Sequence, residues 1–184
     1  RLDKIVNLEL KPLKLDKSVF ETSVELCHSE NAWGVQGFDE VRFLVATNAT
    51  SDTVPELGPL NKIASGGEMA RFMLALKVVL ADSAQYPGVF VFDEIDTGIG
   101  GATANAVGER LAKLALRHQV LVVTHSPQVA AQANHHWMVS KRGGATLITP
   151  LLGQARQEEI ARMLSGAEIS QEARAAAARL LDTG

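Results

Sequence analysis

Hydrophobic and polar residues alternate along the first quarter of the chain, which predicts mainly extended structure. Residues 1–15 contain short alternations (IVNLEL, then PLKL) and predict an extended or weakly paired segment. Val19–Leu26 and Phe38–Thr47 predict two strands, and the turn-forming residues Ser29–Gly37 between them predict an antiparallel hairpin with a long loop. Trp33 in that loop is either a recognition residue or a ring folded back on the sheet, and we favour the second interpretation.

The middle of the chain changes from alternation to longer periods. Asn48–Leu60 is polar and contains Pro and Gly, which predicts a surface connection. Gly66–Ser83 is apolar around much of its circumference and predicts a largely buried helix. Val89–Phe92 and Val120–Val123 are continuous apolar runs, typical of parallel strands covered on both faces, and the amphipathic segment Gly101–His118 predicts the helix that joins them.

The last third of the chain predicts short alternating elements. These are a helix at Pro127–Ala133, strands at Trp137–Ser140 and Ala145–Thr149 around a turn at Arg142–Gly144, and helices at Gln154–Leu164 and Ser170–Leu181. The whole pattern predicts an α/β fold with a parallel sheet core flanked by helices and an N-terminal antiparallel hairpin. With 184 residues, we expect a single domain spanning residues 1–184.

Composition adds few constraints on function. The net charge is −3 and no block of like charge occurs, so global electrostatics gives no support for nucleic-acid or membrane binding. Cys27 is the single cysteine, which excludes an internal disulfide and favours a reducing compartment such as the cytoplasm. No apolar run approaches the length of a membrane span. The chain begins at Arg1, and we expect it to be a fragment of a longer protein.

The block Ser65-Gly66-Gly67-Glu68 precedes the buried helix and has two interpretations. Ser-x-x-Glu at a helix start is a capping box, with Ser65 as the N-cap and Glu68 reaching back. Two glycines in the first turn are unfavourable for a helix that needs only a cap, however. They leave backbone N–H groups open at the positive end of the helix dipole, where phosphate binds. The two interpretations are equally supported.

A second block places two adjacent acids, Asp93 and Glu94, at the carboxyl end of an apolar strand. Ligands bind at this edge in open α/β sheets. Asp93 is positioned to hold the Mg²⁺ of a nucleotide, usually through a water, and Glu94 to polarise the attacking water. Asp96 and several glycines follow in a flexible turn. Two adjacent acids at the end of so apolar a strand are hard to explain by packing, because unpaired buried carboxylates are costly. The alternative, a solvated strand end, is less favoured.

The third block ends an apolar strand with Thr124 and His125, which we expect beside the two acids. His125 is there suited to contact a γ-phosphate. His28 and His118 are predicted to lie on the surface. The adjacent pair His135-His136 would point to opposite faces of a strand, so we do not expect it to bind metal.

The phosphate-binding loop G-x-x-x-x-G-K-[ST] is absent from the sequence. The chain therefore combines a phosphate-facing helix start and a metal-binding strand with no loop that wraps the phosphates. We expect another polypeptide segment to supply that loop.

The order of these blocks resembles the signature, Walker B and switch-histidine motifs of ABC-type ATPases. The segments LNKIASGGEMARFMLALKVVLA, FDEIDTGIGG, THSPQVAAQANHHWMVSK and EEIARMLSG are similar to the C-terminal lobe of the head domain in the RecN family of SMC-like bacterial DNA repair proteins. The similarity runs from about Phe38 to Leu181 and is most specific between Lys62 and Lys141.

The resemblance implies a composite ATP site. In this family the Walker A loop lies in an N-terminal lobe, separated from the C-terminal lobe by a long antiparallel coiled coil. Residues 1–15 are then a candidate junction, although they show no heptads. Two heads of a homodimer sandwich ATP and Mg²⁺. By position the signature is Ser65, Gly66, Gly67 and Glu68, the magnesium residue Asp93, the catalytic carboxylate Glu94, the D-loop acid Asp96 and the switch histidine His125.

The function implied is ATP hydrolysis coupled to head dimerisation and to DNA binding or end tethering. Such ATPases act in DNA double-strand-break repair and recombination after DNA damage, in the cytoplasm at the nucleoid. The isolated chain is then expected to be inactive. Two alternatives remain open. One is a metal-dependent nuclease or phosphotransferase using Asp93, Glu94 and Asp96, and the other is a non-catalytic ATP-sensing module.

Overall fold

A computed structural model describes residues 1–28, 33–35, 37–47, 55–62, 66–81, 88–93, 95–166 and 168–182. The chain divides into two compact units, Arg1–Ala84 and Gln85–Gly184. The single domain expected over residues 1–184 stays a prediction.

The first unit begins with helix α1 (Leu2–Leu10), followed by a short 3₁₀ turn (Lys11–Leu13). The extended segment predicted for residues 1–15 is therefore wrong. Val6, Leu10 and Leu13 are each fully buried, and their spacing of four and three residues forms one helical stripe. The same apolar residues fit both the two-residue period of a strand and the 3.6-residue period of a helix.

Polar side chains of α1 bind the backbone of strand β1 (Val19–Leu26). Asn7 accepts a hydrogen bond from Phe20 N at 2.9 Å and donates to Phe20 O at 2.8 Å. Asp3 Oδ1 accepts from Thr22 N at 3.1 Å and from Thr22 Oγ1 at 2.6 Å. These contacts satisfy backbone groups of an edge strand, which stabilises a helix rather than a strand at the start of the chain.

Strand β1 pairs antiparallel with β2 (Asp39–Ala46), so that Val19 lies opposite Ala46. The predicted hairpin is confirmed. A two-residue strand β3 (Gly58–Pro59) adds to β2. Most of the predicted connection at Asn48–Leu60 lies outside the described residues.

Trp33 folds back on the hairpin, as favoured from the sequence. Its Nε1 donates to Cys27 O at 2.7 Å, and its ring meets Phe38 edge to face with centroids 4.9 Å apart. The ring therefore has a packing role that needs no ligand.

Helix α2 (Gly66–Ala81) completes the first unit and confirms the predicted buried helix. Its buried residues lie around most of the helix and include Gly67, Arg71, Phe72, Leu74, Ala75, Leu76, Val78 and Ala81. This pattern explains why the sequence shows no polar face there.

The second unit opens with β4 (Val89–Asp93), α3 (Gly101–Ala115) and β5 (Gln119–Val123). Strands β4 and β5 are parallel and in register, with Asp93 opposite Val123. The predicted strand–helix–strand unit is confirmed. Both strands therefore end at the same edge of the sheet.

The prediction that both faces of these strands are covered is wrong for the part of the chain that the structure describes. Val89, Val91 and Val123 are 64%, 65% and 62% exposed, whereas Phe92 is 6% exposed. Because side chains alternate between faces along a strand, one face carries the buried positions and the other is open. A continuous apolar run thus predicted a second covering layer that the described residues do not supply.

His118 is buried, contrary to its predicted surface position, whereas His28 is exposed as predicted. His118 Nδ1 accepts a hydrogen bond from Gly88 N at 2.9 Å, and its ring packs edge to face on Phe90. The imidazole satisfies the backbone at the start of β4 and is a packing group.

The remaining elements match the sequence predictions within two residues at most ends. They are α4 (Pro127–Ala131), the antiparallel pair β6 (His136–Arg142) and β7 (Ala145–Leu151), α5 (Gly153–Ser165) and α6 (Gln171–Asp182). A small core of Ala130, Ala131, Ile160, Ala161, Ala173 and Ala177 joins α4, α5 and α6. Within the described ranges, no helix has both the length and the apolar character needed to cross a bilayer.

Candidate functional site

The signature block lies at the start of α2, with Gly66 as its first residue. Gly66 is exposed, and a Cβ added there meets no atom within 4 Å. Packing therefore does not explain the glycine, and the backbone at Gly66 is exposed at the positive end of a 16-residue helix. Ser65, on which the capping-box alternative depends, lies outside the described residues.

The rest of the signature is less exposed. Gly67 is buried and Glu68 is half-buried in the first turn of α2. Arg71, 7% exposed, lies one turn further on. Burial lowers the pKa of the Arg71 guanidinium, and the nearby charge of Glu68 partly offsets this effect. Glu68 thus lies near a cation inside its own helix.

Asp93 is the last residue of β4 and is exposed. Its position opposite Val123 places it at the sheet edge from which the chain continues to Thr124 and His125. An exposed carboxylate is a suitable oxygen ligand for Mg²⁺. Glu94, the predicted catalytic carboxylate, lies outside the described residues.

Asp96 is only 1% exposed, unlike Asp93 three residues before it. Its Oδ2 accepts hydrogen bonds from Thr124 Oγ1 at 2.5 Å and from Ser126 N at 3.0 Å. Ser126 N also donates to Thr124 Oγ1 at 3.0 Å. Asp96 therefore connects the turn after β4 to the turn after β5.

His125 lies between these two anchored residues, and its side chain is 82% exposed. Its Nδ1 is 3.8 Å from Asp96 Oδ2, beyond hydrogen-bond distance but close enough for attraction when the imidazole is protonated. The structure thus presents an exposed imidazole on an anchored loop, at the edge of the sheet where Asp93 ends.

Ser126 was not singled out from the sequence, although it is part of this site. It is the N-cap of α4, where its Oγ accepts from Val129 N at 3.5 Å and donates to Gln128 Oε1 at 3.0 Å. Serine followed by proline at the first helical position is a known helix-start signal and predicts this role. The loop of His125 is therefore held by Asp96 on one side and by α4 on the other.

Helix α4 itself packs closely on α3 at Gly108. A Cβ at Gly108 would lie 2.8 Å from Gln132 Cγ and 3.3 Å from Gln128 O. Glycine is required there by close approach, so the position of α4 depends on this contact.

The residues described do not form a metal cluster. Among them no three His, Cys, Asp or Glu side chains gather in a group that could hold a metal ion. Asp96 Oδ2 is engaged by Thr124 and Ser126, which disfavours the two-metal alternative. His136 is half-buried, and burial lowers the pKa of its imidazole, an effect that nearby Arg156 strengthens. In the second unit, the described group that best suits Mg²⁺ is therefore the exposed Asp93 carboxylate.

Comparisons with known proteins identify close relatives of the sequence. The chain is 41% identical over 187 residues to the DNA repair protein RecN of Rickettsia bellii, covering 98% of this chain and 32% of that protein. It is 50% identical over 158 residues to RecN of Xylella fastidiosa, covering 84% of this chain and 28% of the relative. The chain thus spans about a third of the length of the curated relatives it matches. No family model matches it.

Solved structures with a similar fold are SMC head domains. The Smc head of Pyrococcus yayanosii superposes with a TM-score of 0.63 at 18% identity, covering 86% of this chain and 28% of that one. The Smc head of Pyrococcus furiosus gives a TM-score of 0.59 at 20% identity, covering 89% of this chain and 37% of that one. These similarities show the fold, and they confirm the predicted α/β class of an SMC-type head.

Proposed function

The chain is a relative of RecN-type DNA repair proteins over nearly its whole length, as its motifs predicted, and from this premise we propose that it forms part of an SMC-like ATPase head. In this proposal it supplies the signature, the magnesium carboxylate and the switch histidine of an ATP site. The activity belongs to the longer protein, and the isolated chain is inactive.

The observation that carries the proposal is the arrangement at the edge of β4 and β5. Asp93 is exposed at the end of one strand, and His125 is exposed just after the end of the parallel neighbour. Asp96 holds the His125 loop through Thr124 and Ser126. Polar groups that follow two parallel strands thus lie at the same sheet edge, where open α/β sheets bind ligands.

We propose that Asp93, Glu94 and His125 have different roles in ATP hydrolysis at this edge. Asp93 would hold Mg²⁺, and the ion, when bound, would supply positive charge that offsets the charge of the phosphates. Glu94 orients the attacking water and accepts its proton. His125 donates a hydrogen bond to the γ-phosphate, which stabilises charge there during hydrolysis.

The signature is proposed to act on a nucleotide held by a second copy of the head. Gly66 and Gly67 offer backbone N–H groups, Ser65 offers its hydroxyl, and the helix dipole of α2 adds positive potential. Glu68 completes the motif. Such a homodimer is symmetric and carries two composite sites.

An N-terminal lobe of the same longer protein is proposed to supply the Walker A loop. The exposed apolar face of β4 and β5, formed by Val89, Val91, Leu121 and Val123, supports this assignment. Contiguous exposed apolar surface of this kind marks a place where another protein segment packs. The same layer would explain why both strands are apolar throughout.

Head dimerisation is proposed to be coupled to DNA binding or end tethering in double-strand-break repair, in the cytoplasm at the nucleoid. The support for this part is the DNA repair function in the names of the relatives. The charge distribution of the chain neither adds to it nor opposes it.

Mixing two inactive variants of the full-length protein tests the composite site. Gly66→Ala disables the signature and Asp93→Asn the magnesium residue, and each alone is expected to lower ATP turnover at least about tenfold. In a mixed dimer one site carries both changes and the other carries neither. An equimolar mixture should therefore recover about a quarter of wild-type turnover, because half the dimers are mixed and each has one intact site.

Gly58→Ala is the matched control, since a Cβ at Gly58 also meets no atom within 4 Å. Gly66→Ala should leave the thermal unfolding midpoint unchanged or slightly raised, because alanine favours the helix by up to about 1 kcal/mol. Wild-type turnover by both single variants would refute the ATPase site. Inactive variants that fail to complement after subunit exchange would refute the arrangement in trans. Robust turnover by residues 1–184 alone would refute the proposal that this chain supplies only part of the site.

A further inference from the structure

We propose that Thr124 is a positioning residue for His125, acting through its hydroxyl and the buried Asp96. The inference rests on the ATPase function proposed above and extends it to a residue with no predicted role. It assigns to Thr124 the task of holding the backbone that presents His125 at the sheet edge.

Three hydrogen bonds join the hydroxyl of Thr124, the carboxylate of Asp96 and the backbone N–H of Ser126. The hydroxyl donates to Asp96 Oδ2 at 2.5 Å and accepts from Ser126 N at 3.0 Å, and Ser126 N also donates to Asp96 Oδ2 at 3.0 Å. The residues before and after His125 are thereby tied to one carboxylate oxygen. One atom both donates and accepts here, and a hydroxyl oxygen supplies both functions at a single atom.

His125 depends on this backbone because its own side chain is held weakly. The side chain is 82% exposed, and its contact with Asp96 is an approach of 3.8 Å. No hydrogen bond of the imidazole is found among the residues that the structure describes. The location of the ring is therefore set by the anchored residues on either side of it.

Asp96 in turn depends on Thr124. The carboxylate is 1% exposed, and its Oδ1 is buried without a hydrogen-bond partner in the described part of the chain. A buried charge needs donors, and Thr124 and Ser126 supply them at Oδ2. Asp96 lies three residues after Asp93, the last residue of β4. The hydrogen bonds from Thr124 and Ser126 to Asp96 therefore also fix the loop of His125 close to the end of β4.

Thr124→Val removes the hydroxyl and keeps the shape of the side chain. In the full-length protein we expect kcat for ATP hydrolysis to fall about 10- to 100-fold, the effect of a small misplacement of a reacting group. KM should stay within about twofold, because His125 acts on the transferred phosphate rather than on nucleotide binding. Thr124→Ser keeps the donor and acceptor and should restore most of the turnover. Thr149→Val, on the exposed strand β7, is the matched control.

A double-mutant cycle with His125→Ala separates positioning from a general loss of structure. If Thr124 acts through His125, Thr124→Val should have little further effect on kcat in the His125→Ala background. A purely structural role would lower turnover by a similar factor in both backgrounds and would overturn the inference. Thermal unfolding midpoints of all variants are measured alongside, and Thr124→Val should unfold at a lower temperature than Thr124→Ser, because it removes one of the two donors to the buried Asp96 carboxylate.

The outcomes distinguish this inference from the function on which it rests. Wild-type kcat for Thr124→Val together with a slow His125→Ala variant would overturn the positioning role alone. Wild-type turnover by His125→Ala would overturn the assigned role of the histidine, and the positioning role with it. A slow Thr124→Val that Thr124→Ser fails to rescue would also contradict the hydroxyl mechanism.

Discussion

Replacing Asp96 by alanine is expected to release the loop that carries His125 while leaving the rest of the second unit folded. The carboxylate accepts two hydrogen bonds, from Thr124 Oγ1 and from Ser126 N. Hydrogen bonds to charged groups contribute about 1.5–3 kcal/mol each. Ser126 N keeps a second acceptor in Thr124 Oγ1 at 3.0 Å, and the variant no longer buries a charge. The net loss should therefore be about 2–4 kcal/mol in the local opening free energy.

Amide hydrogen exchange measures this opening directly. A loss of about 2–4 kcal/mol corresponds to about 30- to 1000-fold faster exchange of the Ser126 amide, since 1.4 kcal/mol is a factor of ten. Amides in the middle of α5 should keep their protection, because its core contacts are with α4 and α6. The measurement needs no nucleotide, so it tests the geometry of the loop separately from the proposed reaction.

Two companion variants make the result decisive. Asp39→Ala removes an exposed carboxylate at the start of β2 and should leave Ser126 exchange unchanged. Asp96→Asn keeps one oxygen acceptor without the charge and should give an intermediate rate. An increase below about threefold for Asp96→Ala would refute the conclusion that Asp96 anchors the loop.

Two further predictions concern other parts of the second unit. Burial, strengthened by Arg156, lowers the pKa of His136 from its usual 6.5, so the folded state favours the neutral imidazole. The neutral His136 imidazole therefore stabilises the fold fully above the unfolded pKa, and this stability is lost as the pH falls below about 6.5. The variant His136→Gln should lose less stability between pH 7.5 and pH 5.5 than the wild type does. Urea unfolding midpoints at the two pH values measure the difference. Gly108→Ala should destabilise the fold by about 1–2 kcal/mol despite its better helix propensity, because its Cβ would meet Gln132 and Gln128, and urea unfolding checks it. Gln132→Ala should relieve part of that cost, and a Gly108→Ala variant as stable as wild type would contradict the packing argument.

The order of elements was predictable from the sequence because local patterns determine it. The hairpin of β1 and β2, the parallel pair β4 and β5, and helix α2 all follow from periodicity and turn residues. Helix α1 was not predictable by the same means. Its apolar positions fit both a strand and a helix, and the choice depends on Asn7 and Asp3 binding a strand that begins nine residues after the helix ends.

Side-chain burial is the second feature that the sequence predicted poorly. The apolar runs at Val89–Asp93 and Gln119–Val123 predicted that both faces of the sheet are buried. The described residues cover only one of these two faces. His118 shows the reverse case, since a histidine predicted to lie on the surface is a buried acceptor for Gly88 N. Burial depends on residues far apart in the chain, so a local pattern predicts it less well than it predicts secondary structure.

In the candidate site, the sequence likewise predicted the chemical groups but not how far each is buried. Asp93 and Asp96 carry the same side chain three residues apart. The sequence predicted Asp93 as a magnesium residue and Asp96 in a flexible turn, and the family resemblance implied that Asp96 is the D-loop acid of the ATP site. In the structure Asp93 is exposed at the strand end, whereas Asp96 is enclosed and bound to residues that follow β5. A solvent-facing carboxylate is free to take a cation, and an enclosed one with two donors is suited to fixing a loop. The resemblance to ABC-type ATPases therefore names candidate residues, and the hydrogen bonds across the sheet edge support the proposal that Asp96 positions His125 through Thr124 and Ser126.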